Sequence, residues 1–338
     1  MEEEITIVLD NTDVLSGVCG VNDQNLKVIA GCLGGRIRTR GNEISFAGVD
    51  DAAQDRFKTV IDSLIKAVKE GECPSAEYVE ALTGIFVQDS QTVLDSAEEA
   101  NFTMQGINAG TYSISALRDN LIQIPQGFAK VFPRSHNQAQ YIRGMREYDI
   151  SFCVGPAGTG KTYLAIAEAL RMVLSKKMRK LILTRPVVEA GESLGYLPGD
   201  MAQKISPYLR PLYDAMEALV PYETIHHMED TRAIEIAPLA YMRGRSLNDC
   251  IVILDEAQNT TKEQMKMFLT RIGRGARAVI TGDATQVDLP KRIDSGLLHA
   301  LALLSGVEGI FISYLNTADV VRNPLIKKII EAYDAEKK

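Results

Sequence analysis

The spacing of apolar residues divides this chain into two regions of different character. Near the front, Ile5 to Leu9 reads as a strand, and residues 22–33 place Leu26, Ile29, Ala30 and Leu33 at helical intervals. Two alternating runs, Arg36 to Arg40 and Glu43 to Ala47, flank Gly41-Asn42, the pattern of a β-hairpin. From about Ala52 to Lys69 a helix is expected, apolar at Phe57, Val60, Ile61, Leu64, Ile65 and Val68. The order strand–helix–hairpin–helix predicts a small α+β module over residues 1–71. Residues 72–132, with helical fragments at 77–87 and 91–100, read as a connecting segment.

Beyond residue 133 the pattern changes to short apolar runs separated by helical stretches. Ile150 to Val154, Lys180 to Thr184, Ile251 to Leu254 and Ala276 to Thr281 have the composition of strands buried on both faces. Residues 133–338 are therefore expected to form a parallel sheet of about five strands flanked by helices, in a RecA-like α/β arrangement.

Composition narrows the setting. The 338 residues are 46% hydrophobic and 24% charged, and no apolar run reaches the ~18 residues of a membrane helix. Cys19, Cys32, Cys73, Cys153 and Cys250 are scattered without a Cys-x-x-Cys pair, which argues against a zinc site and for a reducing, cytoplasmic compartment. Charge is uneven. Residues 1–120 carry 9 Lys and Arg against 20 Asp and Glu, net −11, and the remainder carries 28 against 24, net +4. A mildly basic rear suits either a polyanion channel or an ordinary solvated surface. In the acidic front module, Gly17-Val18-Cys19-Gly20 has the G-x-x-G form of a KH nucleic-acid-binding loop. Arg36, Arg38 and Arg40 are its local basic feature; a docking or oligomerisation role is the alternative. No nuclease-like grouping of acidic residues is visible.

The chemistry is carried by the rear region. Gly155-Pro156-Ala157-Gly158-Thr159-Gly160-Lys161-Thr162 follows an apolar strand and opens a helix, the setting in which G-x-x-x-x-G-K-[ST] cradles nucleotide phosphates. Lys161 is expected to reach the β- and γ-phosphates of ATP, and the Thr162 hydroxyl to ligate Mg²⁺. Asp255 and Glu256 end a second strand: the first carboxylate suits Mg²⁺, the second suits polarisation of attacking water. An acid pair points to hydrolysis rather than to a small-molecule kinase. A third strand ends in Gly282-Asp283-Ala-Thr-Gln286, where Gln286 is placed as a γ-phosphate sensor.

Seven segments in order, GPAGTGKTYLA, LTRPVVEAGESLGYLPGD, PYLRPLYDAM, IAPLAYMRGRSLND, ILDEAQNTTKEQMKMFLTRIG, TGDATQVDLP and DVVRNPLIKKI, closely resemble the PhoH-like ATPase family from about Arg134 to Tyr333. The family resembles the first motor domain of superfamily 1 helicases, and the resemblance implies ATP hydrolysis and action on RNA. Carried onto this chain, it makes Gln138 the adenine-reading glutamine and Arg322 an arginine that completes the phosphate site. Asn323 stands where the family carries His. Arg243 and Arg245 are alternative arginine fingers, and Arg185, with Glu189 and Glu192 beyond it, suits a nucleic-acid channel. There is room for one motor domain only, so a neighbouring subunit is expected to supply the finger in a homo-oligomeric ring, with a hexamer favoured. An RNA-remodelling motor serving an endoribonuclease or a ribosome-maturation partner is one reading. A nucleotide-switched binding module is the other.

Overall fold

The computed structural model describes residues 4–71, 73–95, 119–186, 201–290 and 292–320. The chain divides into two compact units, residues 1–121 with 132–139, and residues 122–131 with 140–338.

In the first unit, β1 (Glu4–Val8), α1 (Thr12–Cys19), α2 (Gln24–Leu33), β2 (Arg36–Arg40), β3 (Glu43–Ala47), α3 (Asp51–Lys69) and α4 (Ala76–Asp95) follow in order. The strands form an antiparallel sheet ordered β1-β3-β2. Helix α1 goes beyond the strand–helix–hairpin–helix reading. Asn11 caps it by accepting the Val14 N–H at 2.8 Å, and Val14, Val18 and Cys19 turn into the core. Helix α3 starts at Asp50, whose carboxylate accepts the Ala53 N–H at 2.6 Å, and ends with Lys66 and Lys69 near its negative pole. Phe46 and Phe57 stack at 4.6 Å between sheet and helix. Helix α4 lies within the stretch read as a connector. Its Tyr78, Val79, Ala81 and Leu82 belong to the same core as Ile29, Ile44 and Leu64.

The Gly17–Gly20 tetrad is not an exposed loop. Gly17, Val18 and Cys19 lie inside α1, Val18 and Cys19 are buried, and a Cβ at Gly17 would come within 2.7 Å of Val68. Its two central residues are apolar and buried, and Gly17 lets α1 approach Val68 of α3. The turn between α1 and α2 falls at Gly20–Asp23, with Asn22 and Asp23 in left-handed conformation. Arg36, Arg38 and Arg40 are exposed on β2.

The second unit holds a short ribbon, β4 (Ile122–Gln123) with β5 (Lys130–Val131), and a parallel sheet of six strands where about five were expected. They are β6 (Ile150–Val154), β7 (Lys180–Arg185), β8 (Ile234–Pro238), β9 (Cys250–Leu254), β10 (Arg277–Gly282) and β11 (Ile310–Tyr314), in spatial order β11-β6-β10-β9-β7-β8. The helices are α5 (His136–Glu147), whose start belongs to the first unit, α6 (Lys161–Leu174), α7 (Met201–Glu217), α8 (Tyr222–Asp230), α9 (Lys262–Leu269) and α10 (Gly296–Leu304). Alternation along β9 sends Ile251 and Ile253 to a core shared with α6, α7 and α8, and Val252 and Leu254 to one shared with α9 and α10. Strands buried on both faces explain the uninterrupted apolar runs of the sequence. Among the described residues no helix is long and apolar enough to cross a membrane.

Two charged contacts fix α5 and α6. Glu168 on α6 is fully buried and accepts Arg146 of α5 through both oxygens at 3.2 Å, and Arg171 Nε at 2.9 Å. Arg277 of β10 donates to the carbonyls of Met145 and Arg146 at 2.8 and 2.6 Å, closing the C-terminal end of α5.

Candidate functional site

The strand order puts β10 between the P-loop strand β6 and the carboxylate strand β9. The ends of all three therefore line one cleft, at the carboxyl edge where ligands of open parallel sheets bind. Val154 of β6 leads into Gly155, whose N–H donates to the Gly282 carbonyl of β10 at 3.1 Å. Gly155 sits so close to the end of β11 that a Cβ would lie 2.5 Å from the Leu315 carbonyl oxygen. Gly158 and Gly160 take left-handed φ of 82° and 81° as the chain curls into α6. Thr159 is buried and donates to the Pro156 carbonyl at 2.9 Å, bracing the loop from within. Lys161 folds over the loop it ends, donating to the carbonyls of Gly155 and Pro156 at 2.7 Å each. Burial holds its ammonium below the usual lysine range, against the opposing pull of Cys153, Asp283, Glu256 and Asp255. Tyr141, buried with its phenol pushed well above the normal range chiefly by that burial, lies 3.4 Å from the Lys161 carbonyl as donor.

Thr162 and Asp255 meet across the cleft. The threonine hydroxyl donates to Asp255 Oδ1 at 2.6 Å, and the Thr281 hydroxyl of β10 donates to the same oxygen at 2.7 Å. Glu256 follows in left-handed conformation, φ 52°, unusual for a residue with a side chain and a mark of a locally constrained site. Its Oε1 pairs with Arg185 Nη2 at 2.9 Å and its Oε2 accepts the Gln258 amide at 2.5 Å. Gln258, almost wholly buried, accepts the Asp283 N–H through its own oxygen at 3.0 Å. Asp283 Oδ1 accepts the N–H and hydroxyl of Thr285 at 2.9 and 2.6 Å, while its buried Oδ2 has no hydrogen-bond partner among the described residues. Lys161, Thr162, Asp255, Glu256, Asp283 and Gln286 all line one cavity of about 280 Å³, which is room enough for the phosphates and metal of a nucleotide.

The donor set suits Mg²⁺. A hydroxyl and a carboxylate converge at the cavity, an unsatisfied carboxylate oxygen stands nearby, and no group of three or more His, Cys, Asp or Glu forms a closed cage among the described residues. Mg²⁺ is held in this open manner, by one or two protein oxygens with phosphate and water completing the shell.

The structure thus brings Gly155 to Thr162, Asp255, Glu256 and Gln286 together. Gln138 lies in the part of the chain that belongs to the first unit, where its Oε1 accepts the Arg134 N–H at 2.7 Å and its own N–H donates to Ser135 Oγ at 3.1 Å. Arg243 is exposed. Arg245 is committed to Glu235, with Nη2 to Oε2 at 3.0 Å, and Lys180 pairs with the same carboxylate. Those two cations hold the Glu235 carboxyl at about 2, the Arg245 bond being the largest cause. In the isolated chain Arg245 is therefore paired with a carboxylate of its own sheet. Arg322, Glu189 and Glu192 lie outside the described residues. Spacing alone assigns no role to Gln258, Asp283 and Thr281, although all three stand in the DEAQ and TGDATQ segments.

The family model described as PhoH-like protein matches residues 130–334. The PhoH-like protein of Bacillus subtilis (strain 168) is 42% identical over 331 residues, covering 97% of this chain and 96% of that one. The PhoH-like protein of Synechocystis sp. is 40% identical over 329 residues, 97% of this chain and 94% of that one. Protein PhoH of Escherichia coli K12 is 38% identical over 238 residues, 70% and 66% of the two chains. Among solved structures, the Pif1 helicase from Candida albicans aligns with TM-score 0.32 and 14% identity, over 58% of this chain and 42% of that one.

Proposed function

This chain belongs to the PhoH-like protein family, and on that premise we propose that it is a Mg²⁺-dependent ATPase of the cytoplasm that couples hydrolysis to RNA binding or remodelling. The observation that carries the reading is the 2.6 Å contact between Thr162 and Asp255, which sets a P-loop hydroxyl and a second-strand carboxylate at one point of the cavity. Bound there, Mg²⁺ supplies charge neutralisation of the phosphates and of the leaving group.

The chain's own residues do the rest. N–H groups of Gly158 to Lys161 and the positive pole of α6 bind phosphate oxygens. Lys161 exchanges the Gly155 and Pro156 carbonyls for the β- and γ-phosphates, a stronger, charge-assisted set of acceptors. Glu256 accepts the proton of the attacking water and orients it in line with the γ-phosphate. Gln286, exposed at the rim, registers the γ-phosphate. An arginine from a neighbouring subunit, Arg322 or one of the alternatives Arg243 and Arg245, completes the γ-phosphate site in a homo-oligomeric ring, a hexamer by preference. RNA is supported by the net positive rear region and the exposed Arg36, Arg38 and Arg40, and an endoribonuclease or ribosome-maturation factor is the partner class that such an activity serves.

Steady-state ATP turnover with and without single-stranded RNA, in wild type and Lys161→Ala, tests this. The expected result is Mg²⁺-dependent turnover that RNA stimulates and the variant abolishes. Slow turnover indifferent to RNA would move the reading to a nucleotide-switched binding module, and no turnover at any condition would remove the enzyme.

A further inference from the structure

The carboxylate assigned to the attacking water is held on both sides. Arg185, the last residue of β7, grips Glu256 Oε1 at 2.9 Å, and Gln258 holds Oε2. The two arms differ in kind. Gln258 is buried and is held by the Asp283 N–H as well. Arg185 is a long side chain, one-fifth exposed, whose other terminal nitrogen donates to the Tyr208 carbonyl of α7 at 3.1 Å. One guanidinium therefore ties the catalytic carboxylate to a helix beyond the P-loop. Arg185 is not among the residues lining the nucleotide cavity, whereas Glu256 is. The pair occupies one oxygen of that carboxylate and fixes where it sits.

We propose that Arg185 is a positioning residue that restrains Glu256 from the attacking water until an RNA phosphate competes for its guanidinium. The proposal rests on the hydrolysis reading above and names how that site is regulated. The chemistry favours exchange. A guanidinium fork matches a phosphate as well as a carboxylate, and a phosphodiester in a basic region offers a full charge in place of one shared with Gln258. Release leaves Gln258 as the remaining bond on Glu256, which then keeps one oxygen fixed while the other faces the cavity.

The test is steady-state turnover of wild type, Arg185→Met and Arg185→Lys, each with and without a poly-uridylate strand, with Lys161→Ala as background. Without RNA, Arg185→Met is expected to raise kcat about fivefold with KM for ATP within about twofold of wild type, because a ground-state restraint on the base acts on kcat. Added RNA then stimulates the Met variant far less than wild type. Arg185→Lys keeps a cation near Glu256 but loses the fork, so its kcat falls between the two. That graded order separates a freed carboxylate from a misfolded protein. A kcat that falls in the Met variant, or RNA stimulation equal in wild type and variant, would overturn the proposal. Wild type and both variants at the Lys161→Ala background would instead sink the hydrolysis reading itself, together with what rests on it.

Discussion

The side-chain oxygen of Gln258 accepts the backbone N–H of Asp283 at 3.0 Å, binding the end of β9 to the end of β10. Because the same amide donates to Glu256, the orientation of that carboxylate depends on the end of a neighbouring strand. Gln258→Leu is expected to lower kcat by about tenfold or more with KM for ATP little changed, since it removes orientation rather than substrate contact. It also leaves the Asp283 N–H buried without a partner, costing ~1–3 kcal/mol of stability. Turnover measured beside urea unfolding checks both. An equal loss in KM and kcat would show that Gln258 touches nucleotide.

Glu256→Gln keeps the shape of the side chain and removes its ability to take a proton. Turnover is expected to drop ~10²–10⁴-fold, while the affinity for ATP, read by titration with a fluorescent nucleotide, stays near wild type. A variant that hydrolyses at more than a tenth of the wild-type rate would remove Glu256 from the role of base.

Gly155 carries a packing constraint separate from its place in the phosphate loop. A methyl group there meets the Leu315 carbonyl oxygen at 2.5 Å and its Cβ at 2.8 Å, so β6 and β11 have to part at the mouth of the site. Overpacking of this kind costs ~1–3 kcal/mol. Gly155→Ala is expected to melt at a lower temperature and to bind ATP at least about tenfold more weakly. Thermal denaturation with and without nucleotide reads both effects. An unchanged midpoint would mean that the β11 end yields freely.

Glu235 sets an acid limit on the same sheet. Its carboxyl, held at about 2 by Arg245 and Lys180 against an ordinary 4.5, is a group depressed in the folded state. Its contribution is therefore fully present above about 4.5 and is lost as pH falls toward 2. The urea midpoint of wild type should exceed that of Glu235→Gln at pH 7, and the gap should close between pH 4.5 and 2. A gap independent of pH would place the loss in packing, not charge.

The rear sheet was legible because strands buried on both faces leave apolar runs that little else imitates, and because Gly155 to Thr162 state their conformation through glycines at 158 and 160. Four of its six strands are marked in this way. Strand β8 hid in a run broken by Glu235, which spends its charge on Arg245 and Lys180 rather than on solvent. Strand β11, between Gly309 and Leu315, sits at the sheet edge and is only partly buried, so its pattern is weak. In the front module, Gly17 to Gly20 read as a G-x-x-G loop, whereas the missing side chain of Gly17 is what lets α1 approach α3. At the site, the residue types were plain and their couplings were not. Spacing shows that Asp255 and Glu256 share a strand end, but the grip of Arg185 and Gln258 on Glu256 arises from neighbouring strands and a turn that local pattern does not encode. The sequence suits Arg185 to a channel, and no signal in it announces that the residue faces an acid 71 positions away.

The buried Glu168 constrains how this protein can diverge. One carboxylate answers to Arg146 and Arg171, so either arginine can be exchanged while the other still neutralises it. The glutamate has no such freedom: substituted first, it strands two cations against the helix that begins with Lys161 and Thr162. Mutational paths through this triad are therefore ordered, with the arginines permitted to drift and Glu168 obliged to change last.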